Sequence, residues 1–136
     1  MNPNQIVLHY KDGRIAKGNT SDFFPNKSTF HLSHTDSHNE NIDVEDLKAV
    51  FFVKHIDGDK HYDYKYEDDV AGAGKKVKVV FNDNETIKGY VLGYAPQRQG
   101  FFITPADISG NNERIYVVNS SVKNVEFIWY ATAKLI

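Results

Sequence analysis

The chain contains no cysteine, and that single absence removes disulfides, thiolate metal sites and a cysteine nucleophile together. It also fits a reducing compartment. No charge of one sign prevails: 16 basic and 18 acidic side chains leave a formal charge of −2 and a pI near 6.3. The chain therefore lacks the Lys and Arg surplus that a general nucleic-acid surface requires. No apolar run approaches the roughly 18 residues of a membrane-spanning helix, and the opening Met1-Asn2-Pro3-Asn4-Gln5 has neither the basic nor the apolar region of a secretory leader. A cytoplasmic protein with no membrane partner is the resulting expectation. Methionine occurs once, whereas aromatics reach 13%, with 9 Phe and 8 Tyr; that balance favours pleated, half-buried strands over helices.

What the chain does contain is one pattern written twice. Residues 6–32 align without a gap on residues 77–103, with Asp12 on Asp83, Lys17 on Lys88, Gly18 on Gly89, Pro25 on Pro96 and Phe30 on Phe101. Leu8/Val79, Tyr10/Phe81 and Leu32/Ile103 pair in kind, and the match resumes through Ile42/Ile115, Val44/Val117, Lys48/Lys123, Val50/Val125 and Phe52/Phe127. A unit of about 50 residues thus recurs, close to the lower limit for an independent core, so the two copies should lean on each other. The division expected is a first small β-barrel over 1–54, an acidic linker or loop over 55–74, and a second small β-barrel with an apolar C-terminal extension over 75–136. Their charges are −1, −4 and +3, from 6 basic and 7 acidic, 2 and 6, and 8 and 5 residues.

Within each copy an extended run, Gln5–Tyr10 or Val77–Phe81, leads into a turn signal. Asp12-Gly13 suits a primed hairpin turn because Gly accepts positive φ, and Asn82-Asp83-Asn84 keeps that chemistry because Asn tolerates the left-handed region. Gly18 and Gly89 interrupt the second strand, which a bend, a bulge or a close backbone approach would justify; a sharply curved strand is the reading, since curvature closes small barrels. The Pro25 and Pro96 loops follow. A third strand then runs through Phe30–Leu32 or Phe101–Ile103, a fourth at Ile42–Val44 or Arg114–Val118, and, after a tight turn, a fifth at Lys48–Lys54 or Val122–Ile128. The expected fold is all-β, two tandem SH3/Sm-like five-stranded barrels packed together. The apolar tail Trp129–Ile136 is expected to pack on the first copy or on a second molecule, in a homodimer.

Residues that carry chemistry recur far less. His31, His34 and His38 crowd one region with Asp36 and Asp43, and His55 and His61 lie among Asp57, Asp59 and Asp63, donors that bind divalent ions. The His31-His34-His38 spacing matches no regular element that sets three ligands in a tetrahedron, and none of these histidines recurs. They read as surface residues, with no metal or other cofactor expected. Asp57-Gly58-Asp59 lacks the ordered ligands and closing glutamate of a calcium loop. There is no Gly-x-Ser-x-Gly, Ser120-Ser121 falls in a tight turn, and nothing places two carboxylates together, so the chain does not read as an enzyme. Lys48 and Lys123 read as strand-edge gatekeepers. The loops Asp22–Lys27 and Gly93–Arg98 each gather aromatic, proline, amide and cationic groups, a set that can stack on a ring or a proline-rich peptide while neutralising an anion. Phe23, Phe24, Tyr94 and Arg98 are accordingly the candidate partner-binding residues. The competing reading is that the aromatics cap the barrel ends and the prolines stiffen the turns.

Tyr10-Lys11-Asp12-Gly13-Arg14, Phe24-Pro25-Asn26, Leu47–Val53, Gly93-Tyr94, Gly100–Asp107 and Asn111-Asn112-Glu113-Arg114 together resemble an uncharacterised bacterial family of conserved hypothetical proteins loosely associated with PilZ-type signalling proteins. The resemblance runs from about Gln5 to Ile128 and implies a role near bacterial signalling. An Arg-x3-Arg pair of the PilZ kind is absent, as the only arginines are Arg14, Arg98 and Arg114. Each copy is also similar to an Sm-like barrel in strand order, without the apolar-Arg-Gly turn between strands four and five. A non-catalytic binding or adaptor module with a protein partner is the function expected. The alternatives are a single-strand nucleic-acid binder using the basic second copy and a small metal-dependent hydrolase.

Overall fold

Apolar residues at every second position carry most of the chain into strands. The computed structural model describes residues 4–36, 38–56, 74–105 and 110–128; most of the expected acidic linker, with Asp57-Gly58-Asp59 and His61, and the apolar tail from Trp129 lie outside the described residues. The strands are β1 Asn4–Tyr10, β2 Ile15–Thr20, β3 Thr29–His34, β4 Asn39–Asp43, β5 Leu47–Val53, β6 Lys75–Phe81, β7 Thr86–Val91, β8 Gly100–Pro105, β9 Asn112–Val118 and β10 Val122–Phe127. The all-β expectation holds. The strands make one antiparallel sheet in the order β10-β6-β7-β8-β9-β5-β1-β2-β3-β4. Each run of five follows the same internal order, fifth-first-second-third-fourth, and the runs meet where β9 pairs with β5, Val117 opposite Ala49 and Ile115 opposite Phe51. Among the described residues no helix is long and apolar enough to cross a membrane.

The two halves share their local geometry. Ile6 lies opposite Gly18 and Val77 opposite Gly89. A Cβ on Gly18 would run into the Ser33 carbonyl, and one on Gly89 into the Thr104 carbonyl and the Ile103 side chain. Close approach of the third strand is thus the reason for both glycines. The hairpins are three-residue loops rather than primed two-residue turns: Tyr10 N donates to Arg14 O at 2.9 Å and Gly13 N to Tyr10 O at 3.1 Å, matched by Phe81 N to Glu85 O and Asn84 N to Phe81 O, both 2.8 Å. Only the third loop residue turns left-handed, Gly13 at φ 94° and Asn84 at φ 72°. That is a bulged hairpin, which tolerates Asn where a primed turn would demand two such residues.

The fourth strands correspond differently from the sequence alignment. Phe30 faces Ile42 but Phe101 faces Val117, so Ile42 corresponds to Val117 and not to Ile115, and Val44 opens the 3-10 turn Val44–Asp46 that matches Asn119–Ser121. A slip of two residues leaves every side chain on the same face, so alternation could not expose it.

Two buried clusters sit side by side. Ile6, Leu8, Phe30, Leu32, Ile42, Val44, Leu47, Val50 and Phe52 form the first; Val77, Val79, Phe81, Val91, Phe101 and Ile103 form the second. The central strands serve both: Tyr116 and Val118 of β9 enter the first cluster while Ile115 and Val117 enter the second, and Ala49 of β5 crosses the other way. A strand covered on both faces reads as a continuous apolar run, which is what Ala49–Val53 and Ile115–Val118 are. The corresponding outward positions on the outer strands are polar: Asn41 and Asp43 on β4, Asn124 and Glu126 on β10, all exposed.

Lys48 is no edge gatekeeper, because β5 is central. Its side chain, 11% exposed, reaches across the joint to Asp83 at 2.7 Å and to Glu85, with its ammonium 4.7 Å from the Phe81 ring centre. Burial pulls the ammonium pKa down, but the hydrogen bonds to the two carboxylates outweigh it and hold it above its ordinary value. Lys123 does lie on an outer strand, exposed, donating to Asn84 Oδ1 at 3.1 Å.

Candidate functional site

The Pro25 and Pro96 loops are built alike. Lys27 N donates to Phe24 O at 3.0 Å and Arg98 N to Ala95 O at 3.1 Å, each closing a β-turn with proline at its second position, where its fixed φ is already correct. Each loop is pinned to the following 3-10 turn by one backbone bond, Val44 N to Ser28 O and Asn119 N to Gln99 O, both 2.9 Å. Asp22 anchors the base of the first loop: Oδ1 accepts from His31 N at 2.9 Å and Thr20 Oγ1 at 3.1 Å, and Oδ2 lies 2.6 Å from His31 Nδ1. Burial raises the Asp22 carboxyl, but these hydrogen bonds prevail and keep it below its ordinary 3.8.

Pairing of β9 with β5 brings the two loops together. Gln99, which closes the second loop, donates through Nε2 to Pro25 O at 3.3 Å and Lys27 O at 3.0 Å, and Tyr116 donates its hydroxyl to Pro25 O at 3.2 Å. The second loop is clamped by Asn119 Nδ2 on Arg98 O at 2.8 Å and Ala95 O at 3.2 Å. Between the loops opens a cleft of about 840 Å³ lined by Pro25, Asn26 and Ser28 from one half and by Tyr90, Leu92, Ala95, Arg98, Phe101, Phe102, Thr104 and Tyr116 from the other. Gly100 lies in its wall because a Cβ there would strike the Val117 carbonyl and the Tyr116 ring. Leu92 is 83% exposed, an apolar side chain held in water at the cleft. Arg98 is the single charged group among the described lining residues, which include no carboxylate and no histidine. Burial pushes the Tyr116 phenol above its ordinary range, with the Gln99 hydrogen bond opposing.

The four candidate residues divide. Phe23 packs edge-on against Phe30, Phe52, Phe102 and Tyr116, with ring centres 5.1, 5.6, 6.3 and 5.0 Å away. Tyr94 packs likewise on Phe101 at 4.9 Å and Phe127 at 5.9 Å. These two are partly buried against the first and second clusters respectively. Phe24, 47% exposed with Lys27 Nζ 5.0 Å from its ring centre, and exposed Arg98 stay on the surface. Sequence reasoning missed Leu92, Gln99 and Tyr116. A bare leucine beside Gly93 in a turn was the available signal for the first; the other two act only through the joint.

Of the histidines, the β3–β4 hairpin assembles His34 and His38 with Glu40, the one group of three metal-competent residues among those described. His31 is held apart by Asp22. His9 lies against Phe51 with the rings tilted by 46° and their centres 4.4 Å apart, and burial lowers its pKa.

The chain belongs to DUF6982, a family of unknown function whose model matches residues 2–128. No curated protein and no solved structure matches it.

Proposed function

We propose that this member of DUF6982 is a non-catalytic binding module whose ligand surface is the cleft between its two proline loops. The observation that carries the reading is the convergence of both loops, one from each half, on an aromatic-lined cleft with Leu92 exposed beside it and Arg98 as the one charged residue among its described lining residues. Wide apolar lining with a few placed polar groups suits a ligand with an apolar body and an acidic or carbonyl group for Arg98. A protein segment is the favoured occupant, since a single cation does not track a phosphate backbone. The reading treats the two runs of five strands as small SH3/Sm-like barrels, duplicated and fused side by side, so that the fusion itself creates the site. An adaptor role in bacterial cytoplasmic signalling is the accompanying proposal.

The test compares wild type with Leu92→Ser/Arg98→Ala in affinity capture from lysate, followed by titration of the purified captured partner. Both residues are at the surface, so the variant should melt within a few degrees of wild type and bind the partner at least tenfold more weakly. Equal binding by the variant would remove the cleft from the proposal. Binding that collapses steeply with added salt would replace the protein partner with a nucleic acid.

A further inference from the structure

A second group of chemically competent side chains stands at the opposite end of β3 from the proline loop. The β3–β4 hairpin pairs Leu32 with Glu40 and Ser33 with Asn39, so the last residue of β3, His34, lies beside Glu40 on the neighbouring strand. His34 Nε2 is 2.8 Å from Glu40 Oε1. The loop then folds back, His34 N donating to His38 O at 2.9 Å, and sets the two imidazoles face to face with centres 4.0 Å apart and planes 9° from parallel. One ligand atom from each of His34, His38 and Glu40 lies within 4.8 Å of the other two.

We propose that His34, His38 and Glu40 form a binding site for a divalent late first-row transition ion, zinc being the representative. Two nitrogens and one carboxylate oxygen suit zinc and its neighbours, whereas magnesium and calcium call for oxygen donors throughout. Asp36 supplies the supporting contact: its Oδ1 lies 2.6 Å from His38 Nδ1. A carboxylate on one ring nitrogen fixes the tautomer that leaves Nε2 as the metal-directed lone pair.

Bonds of about 2.0–2.1 Å in a tetrahedron separate ligand atoms by roughly 3.3 Å. The 2.8 Å His34–Glu40 pair must open slightly, and the other donor atoms, all within 4.8 Å of one another, must settle to the same spacing. Parallel rings cannot aim their in-plane lone pairs at one ion, so His38 must swing out of the stack; it and Glu40 have that freedom, at 59% and 46% side-chain exposure, while His34 at 20% is the fixed member. Three protein donors leave the fourth position to water. The bound ion ties β4, an outer strand of the sheet, to β3.

Zinc chloride titrated calorimetrically into the full chain, made without a histidine tag, tests this. The result expected is one ion per chain, with affinity at least tenfold weaker in His38→Gln and in Glu40→Gln and unchanged in His31→Gln. Cobalt(II) should give the visible absorption of a tetrahedral nitrogen–oxygen site in wild type and lose it in His38→Gln. Because His38 and Glu40 are exposed, both variants should retain the wild-type circular dichroism, and a zinc-dependent rise in melting temperature should appear in wild type alone. Absence of saturable zinc binding, or His38→Gln and Glu40→Gln variants that bind as wild type does, overturns the proposal.

Discussion

Removing the charge of Lys48 should cost less than removing the charges of its two partners. Lys48 is 11% exposed, whereas Asp83 and Glu85 are 56% and 51% exposed. In Lys48→Met the carboxylates return to water and the unbranched side chain keeps its place on Phe81, so the loss is that of surface-type ion pairs, about 1 kcal/mol. In Asp83→Asn/Glu85→Gln the amides still accept hydrogen bonds, but the ammonium at the end of a largely buried side chain has lost both countercharges. Breaking a buried pair from that side costs about 3 kcal/mol, less whatever the Phe81 ring returns. The decisive experiment adds Lys48→Met to the Asn/Gln background and measures unfolding in urea. Deleting the stranded charge should then stabilise the protein by about 1–2 kcal/mol, a reversal of sign relative to wild type. If Lys48→Met destabilises both backgrounds, Lys48 escapes to solvent when unpaired and the joint does not depend on its charge.

Acidification should weaken the same contact. Asp83 is held below its ordinary 3.8 by Lys48 and by the Glu85 backbone, and a depressed folded-state pKa contributes stability that is present above that value and lost as pH falls through the folded one. The denaturation midpoint should therefore drop more steeply below about pH 3.8 in wild type than in Lys48→Met. Gly89→Ala and Gly18→Ala should each lose at least about 2 kcal/mol in urea unfolding, since the added methyl meets a neighbouring carbonyl, whereas Gly13→Ala, with open space but φ 94°, should lose about 1 kcal/mol. Tyr116→Phe should cost about 1 kcal/mol, because Gln99 still serves the Pro25 carbonyl. Asp43→Val with Glu126→Phe should make the chain self-associate in sedimentation velocity at concentrations where wild type is expected to show no pairing through these strands.

Features governed by neighbouring residues were readable in the sequence. Gly13 with Asn84, Gly18 with Gly89 and Pro25 with Pro96 announce themselves because a left-handed φ, a close approach or a preset turn each restricts residue type at one position. The turn class was misjudged because Asp12-Gly13 suits both a primed and a bulged loop, and only the hydrogen bonds of Tyr10 distinguish them. The fourth-strand register escaped because its slip equals the period of a strand. The joint was hidden for a different reason. Pairing of β5 with β9 joins residues some 60 apart in sequence, and no local signal fixes so distant a partner. Its only trace was the unbroken apolar character of Ala49–Val53 and Ile115–Val118, which fits a strand covered on both faces. Lys48, Gln99, Tyr116 and the His34–His38–Glu40 group owe their roles to contacts across strands or loops, so their residue types alone said little.

Among the described residues, the two halves differ most where they meet and at the two outer strands of the ten. Equivalent positions on the fourth strands carry Tyr116 and Val118 in β9 but Asn41 and Asp43 in β4, and on the fifth strands Ala49 and Phe51 in β5 but Asn124 and Glu126 in β10. A fourth-to-fifth pairing of β4 with β10 of another molecule would repeat the internal joint, yet it would bury two carboxylates and two amides where the internal joint buries apolar side chains. Desolvating unpaired carboxylates costs several kcal/mol each, so the outer strands are defended against the pairing their backbones invite. Among the described residues, the cleft between the proline loops therefore forms at the one place where a fourth strand and a fifth strand both present apolar outward faces.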